Sequence, residues 1–341
     1  MLKDERAENV KKTLKTDKSE NIAEWAAEKE VIHTSIPIYL SLAMIKFAPR
    51  FFLNFLIRVI SFFFFLFSKR ARTECLRYQK QINSYLNQSN KRPKVFEQIL
   101  SFAITVMEKI ECWVKKETTV KVNFCNDDVN DLITHLNSGK PAFIMCSHLG
   151  NFEVFRNLAN HDKIYTDRKI PISVLMDLGS TSNFTNTIKK INPEFSDNVI
   201  DVNSINPGTM EILQQTVDAG GMIIIAGDRI SKNANAKYLT APFMGKDAPW
   251  SYGAYLMAML LKVPVYFIYG LRKKDTGFDR NYDFHVVKSK VNTDCPRKER
   301  ETKIKELCLE FAEELEKQCL KHSLQWYNFF NFWGFPDKEV E

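Results

Sequence analysis

Hydrophobic positions along this chain follow two different periods. In "RPKVFEQILSFAITVMEKIECWVKK", Phe96, Ile99, Leu100, Ala103, Val106, Met107 and Ile110 recur at the three-and-four spacing of an amphipathic helix. Beyond residue 116 the apolar runs shorten. "PAFIMC", "IPISVLM", "NVIDV", "GMIIIAG" and "VPVYFIYG" are brief, β-branched and apolar, the pattern of strands buried on both faces. Stretches of helical pattern separate the first four, among them "SNFTNTIKKI" and "GTMEILQQTVDAG". Strands alternating with helices predict right-handed crossovers and a mainly parallel central sheet flanked by helices, an α/β fold. "YDFHVVKSKV" alternates apolar with polar and predicts a strand nearer the edge, and a long charged helix is predicted from about 297 to 321.

The N-terminal third reads differently. Residues 1–34 are charged throughout, with no cleavable signal pattern. Residues 35–72 are apolar but punctuated by Lys46, Pro49, Arg50, Asn54 and Arg58. A membrane-crossing helix needs roughly 20 mostly uncharged residues. The best stretch, Phe51 to Phe67, is shorter and carries Arg58 near its middle, where a charge costs about 2.5–3.5 kcal/mol on insertion scales. This predicts a helical region lying in the membrane interface, with its basic residues reaching phosphates. A buried core helix is the alternative, since Phe62 to Phe65 cover most of a helix circumference. The expected organisation is therefore a polar segment over 1–34, a membrane-associated helical region over 35–72, and an α/β domain over 73–335.

Charge and cysteine content narrow the function classes. A net charge of +7, from 48 Lys and Arg against 41 Asp and Glu, suits acidic partners such as anionic lipid heads or an acidic carrier protein. It is too dispersed for nucleic acid, and no nucleic-acid motif appears. Seven cysteines, never in a CxxC pair, argue against a metal or disulfide framework and for a reducing compartment.

The chemistry concentrates in "CSHLGNFE", residues 146–153, at the carboxyl end of the first long strand. That is the edge where open α/β sheets collect ligands. His148 falls in the strand-to-helix loop, Gly150 permits a tight turn, and Glu153 enters the first turn of the helix. A carboxylate there can fix the imidazole tautomer and stabilise the imidazolium, which makes the pair a general base with its orienting acid. The plain alternative is a loop histidine beside an ordinary first-turn glutamate. The spacing does not fit a helical zinc pair. Cys146 lies within the strand and reads as a packing residue.

The surroundings decide between these. "PAFIMCSHLGNFEVFRNLA" resembles the signature of the lysophospholipid acyltransferase superfamily, in particular its bacterial lipid A acyltransferase branch, which carries histidine, four residues and an acid. "GGMIIIAGDRI", "APFMGKDAPWSYGAYLMAMLLKVPVYFIYGLR" and "LQWYNFFNFW" resemble later segments of the same branch, in order, and "AEWAAEKE" resembles its entry to the membrane region. The likeness covers about residues 22–333. It implies a glycerolipid acyltransferase-like fold and an HxxxxE O-acyltransferase at the cytoplasmic face of the bacterial inner membrane. The acyl donor would be a thioester, from acyl carrier protein or acyl-coenzyme A, with no further cofactor and no metal. The acceptor would be a hydroxyl of a lipid or glycolipid.

By the same resemblance His148 and Glu153 are catalytic. Asn151 and the Leu149–Phe152 amides would meet the oxyanion. Read from the residues themselves, Arg229 is either a phosphate ligand with Asp228 holding its guanidinium or the partner of Asp228 in a surface ion pair, and Arg272 has the same two readings. Phe243, Gly245 and Trp250 either line the acyl groove or belong to the core. Arg229 stands where the branch has glutamine or a related polar residue, and the arginines suited to a heavily phosphorylated disaccharide are few, so the acceptor stays open. Two other classes compete: a membrane-surface lipid-binding module without catalysis, and a hydrolase of the same thioester. The C-terminal aromatic segment is either an interfacial belt or a lid on the core.

Overall fold

The structure is a computed structural model, and it describes residues 44, 47–114, 120–126, 128–152, 167–178, 199–230 and 237–335. The predicted 1–34 segment and the "SNFTNTIKKI" helix lie outside these.

Among the described residues three helices come first: α1 (Arg50–Phe67), α2 (Lys69–Tyr85) and α3 (Val95–Val114). Ser68 divides the first two, its hydroxyl accepting from the N–H of Ala71 as a cap does. Helix α2 buries Ala71, Cys75, Tyr78 and Ile82, a single face against the rest of the protein. Helix α1 packs on α3 but buries only Leu53 and Ser61, leaving Phe51, Phe55, Phe62, Phe63 and Phe67 exposed. Its mid-helix charge is turned back to the protein: the Arg58 guanidinium sits 4.4 Å over the Phe278 ring and donates to the Asn54 carbonyl.

Among the described residues the sheet has seven strands in the order β1-β9-β8-β2-β5-β3-β4. In chain order they are β1 (Lys121–Phe124), β2 (Ala142–Cys146), β3 (Ile172–Met176), β4 (Val199–Asp201), β5 (Met222–Ala226), β8 (Val265–Arg272) and β9 (Asn281–Lys288). Strands β8, β2, β5, β3 and β4 are parallel, while β9 runs against β8 and carries β1 parallel to itself. Every apolar run singled out above is a strand of this sheet. The alternating strand β9 stands one place in from the edge, because β1, too short and half-exposed to show a pattern, pairs outside it.

Alternation along β2 feeds two cores. Phe143 and Met145 face one, with α5 (Pro207–Asp218), α6 (Tyr252–Leu261) and α7 (Arg300–Lys321); Ile144 and Cys146 face the other, with α4 (Asp128–Asn137). A separate hairpin, β6 (Tyr238–Phe243) and β7 (Lys246–Ser251), turns at Met244 and Gly245, both with positive φ.

The register does the positioning. In β2 and β5 Cys146 stands opposite Ala226, so the two strands end level. His148 and Asp228 each follow two residues later, side by side at the carboxyl edge.

Candidate active site

Beyond Cys146 the backbone turns through Gly150 at φ +73°. A Cβ there would lie 2.2 Å from the Gly270 carbonyl oxygen, so only glycine lets the loop come this close to β8. The N–H of Asn151 donates to that carbonyl at 2.8 Å. On the other side the loop is strapped by the C-terminal segment. Gly150 N–H donates to the Gln325 carbonyl, Tyr327 N–H donates to the His148 carbonyl, and Leu149 bridges Trp326 in antiparallel fashion.

Held in this way, His148 presents a ring whose side chain is 32% exposed, beside an Asp228 side chain that is fully buried. The ring Nδ1 lies 2.8 Å from Asp228 Oδ1. Oδ2 accepts the His148 backbone N–H at 2.8 Å and the Trp326 indole N–H at 3.1 Å. With a carboxylate opposite, the proton belongs on Nδ1 and the lone pair on Nε2, an assignment made from this hydrogen-bond network. Burial and the nearby Arg229 charge hold the imidazole below its ordinary pKa against the opposing pull of Asp228, and Lys109 adds to the lowering. At neutral pH the ring is therefore neutral and able to accept a proton. Burial alone would raise Asp228, but the ring and backbone N–H of His148, then Arg229, outweigh it and keep the carboxyl ionised. Nδ1 thus faces Asp228. Glu153 itself lies outside the described residues.

Several expected roles change with this geometry. Asp228 takes its hydrogen bonds from His148 and Trp326, while Arg229 acts on it electrostatically. Arg229 places its guanidinium 5.6 Å over the Phe330 ring, within electrostatic reach of His148. Arg272 is fully buried: it pairs with Glu108 at 2.8 Å and donates to Thr105 and to the Asp275 carbonyl. Its charge is balanced inside the protein, so it is no phosphate ligand in this arrangement. The Asn151 amide is also fully buried, beside the Tyr282 hydroxyl but with no well-formed hydrogen bond. The N–H groups of Leu149, Gly150 and Asn151 donate to Ser147 Oγ, Gln325 and Gly270. These three shape the turn.

Phe243 is wholly buried among Trp250, Trp326 and Phe332, and Gly245 forms the hairpin turn against Tyr85. Cys146 is buried in β2 with its thiol toward the Ile225 carbonyl, as a packing residue should be. The aromatic C-terminal segment is a lid: Trp326, Tyr327, Phe330 and Phe332 are buried. Sequence reasoning missed its contribution to the site, and that of Lys109 on α3. The available signal was the unusual run of Trp and Tyr in "QWYNFFNFW", since a buried indole or phenol demands a partner.

Among the described residues no three His, Cys, Asp or Glu side chains gather into a metal-holding group. What remains is a neutral histidine with a buried carboxylate behind it and cations beside it, at the ligand edge of an α/β sheet. Comparison along the whole chain supplies the identity. A family model described as bacterial lipid A biosynthesis acyltransferase matches residues 28–334. The chain belongs to that family. No curated protein matches it. As a lipid A acyltransferase family member it is a lipid acyltransferase, and the mixed α/β fold with a mostly parallel central sheet agrees with that assignment.

Proposed function

We propose that this acyltransferase moves a fatty acyl group from a thioester donor, acyl carrier protein, to a hydroxyl of a lipid or glycolipid, using His148 as the general base. The observation that carries the reading is the 2.8 Å contact between His148 Nδ1 and buried Asp228. It leaves Nε2 as the basic nitrogen on a ring held for proton transfer. The acceptor hydroxyl gives its proton to Nε2 as its oxygen bonds to the thioester carbonyl carbon. The tetrahedral oxyanion then collapses, the carbon–sulfur bond breaks, and the imidazolium returns the proton to the departing thiolate. Arg229 and Lys109 supply positive charge near the ring, where the negative charge of the intermediate develops. Glu153 is retained as the carboxylate of the motif.

The acceptor side fits a membrane surface. Helix α1 carries an exposed aromatic band in which Phe51 and Phe67 are 77% and 80% accessible. An interfacial helix of this kind would seat the protein at the cytoplasmic face of the inner membrane, with donor arriving from the aqueous side. The deciding experiment is transfer from radiolabelled myristoyl-acyl carrier protein into total membrane lipid, with Glu153→Gln, Cys146→Ser and His148→Ala variants. His148→Ala should lose about 10²–10⁴-fold, Glu153→Gln should lose most activity, and Cys146→Ser should lose little. A folded His148→Ala variant that transfers normally refutes the mechanism. Free fatty acid without labelled lipid would instead identify a thioester hydrolase.

A further inference from the structure

We infer that Trp326 is a positioning residue for the transfer reaction, its indole N–H holding Asp228 in the orientation that keeps the His148 proton on Nδ1. This rests on His148 being the base, and it adds a group that touches neither substrate nor imidazole.

The geometry is over-determined around one oxygen. Asp228 Oδ2 receives two donors, His148 N–H and Trp326 Nε1–H, and Oδ1 faces Nδ1. Rotating the carboxylate away from the ring would strand both donors in a buried site, where each unmet group is costly. The indole cannot follow such a rotation. Its ring packs 4.8 Å from Tyr78, 5.2 Å from Phe243 and 4.8 Å from Phe332, and its carbonyl accepts from Gln98 Nε2 at 2.9 Å. Packing alone calls for an aromatic ring here, not for an N–H. Among the described residues the charged groups facing His148 are Asp228, Arg229 and Lys109. Asp228 is the anion of the three, so its placement sets whether the ring can take up a proton beside two cations.

The test reads the imidazole directly and needs no acceptor. Full-length protein in detergent micelles, labelled with ¹⁵N-histidine, is titrated by NMR, the His148 signals being assigned with His148→Gln. Trp326→Phe keeps an aromatic ring and removes the N–H. Without that donor the carboxylate can turn from the ring, so the ¹⁵N shifts of the neutral imidazole should show the Nε2–H tautomer gaining at the expense of Nδ1–H. In an Asp228→Asn background the same change should produce no further gain. Phe332→Leu, in the same stack without an N–H, should leave the tautomer ratio unmoved in both backgrounds. Benzothienylalanine at position 326 matches the indole shape without its N–H, and it carries the test if the phenylalanine variant does not fold. No gain, or an equal change with and without Asp228, overturns the inference. The His148→Ala transfer assay separately decides whether the ring is the base, so the two ideas fail independently.

Discussion

Asp228→Asn is the sharpest perturbation the site offers, because it changes one atom and reverses one hydrogen bond. The amide oxygen must stay where Oδ2 is, since two N–H groups already point at that position. Its NH₂ then falls against His148 Nδ1, 2.8 Å away. Nδ1 can answer only by accepting, so the ring proton moves to Nε2, the atom that must take the hydroxyl proton. The corresponding exchange in a Ser-His-Asp triad costs about 10⁴ in kcat by the same tautomer error. A loss of about 10³–10⁴ is expected here, about 4–5.5 kcal/mol of transition-state stabilisation at 1.36 kcal/mol per decade. The pH profile carries a second signature. A base works when neutral, so wild-type kcat/KM should rise with pH through a midpoint below 6.5, the side to which burial and Arg229 move His148. Removing the anion should shift the midpoint lower still. Transfer from radiolabelled myristoyl-acyl carrier protein to membrane lipid, measured across pH, gives both. A folded Asp228→Asn enzyme keeping more than about a tenth of its kcat would refute the tautomer argument.

Three further outcomes follow from other parts of the molecule. Arg272→Met should cost about 3–5 kcal/mol in urea unfolding, because it leaves Glu108 buried without its cation; Arg272→Met with Glu108→Leu should recover most of that, and a near-neutral single variant would show the pair to be dispensable. Gly150→Ala should lower transfer about 10²-fold or more, since the loop must move off the Gly270 carbonyl and displace His148; comparable activity would mean the turn is not held as described. Replacing Phe51, Phe55, Phe63 and Phe67 with serine should abolish flotation with anionic vesicles, each exposed ring being worth up to about 1.5–3 kcal/mol on burial; the wild type should stay bound in high salt, because apolar burial is not screened.

Much of the sheet was legible because its central strands are buried on both faces and must be continuously apolar. "AFIMC", "MIIIA" and "VYFIYGLR" leave little else for those residues to be. The β6–β7 hairpin was not legible. Its turn is Met244–Gly245, with a methionine at φ 51° where asparagine or glycine would have announced it. His148 could be found from its local motif. Its carboxylate partner could not, because the Asp228 contact spans 80 residues and depends on strands β2 and β5 ending level. Arg272 illustrates the opposite error. An arginine closing a strand looks like a ligand for phosphate, and nothing local reveals that Glu108 waits on α3 to neutralise it. The aromatic C-terminal run satisfied the rules for a membrane belt and for a core lid equally well; burial of Trp326 and Phe332 chooses the lid.

The strap over the catalytic loop also bears on how the enzyme is made. Trp326 lies 98 residues beyond the aspartate it touches, later in the chain than every strand of the sheet. During synthesis the exposed helix α1 emerges before any strand of the sheet. His148 and Asp228 follow, but the segment that closes over them emerges only afterwards, and contacts so distant in sequence are slow to form. The site therefore stays open, its aspartate without the indole donor, until a segment made after the whole sheet has folded back over it.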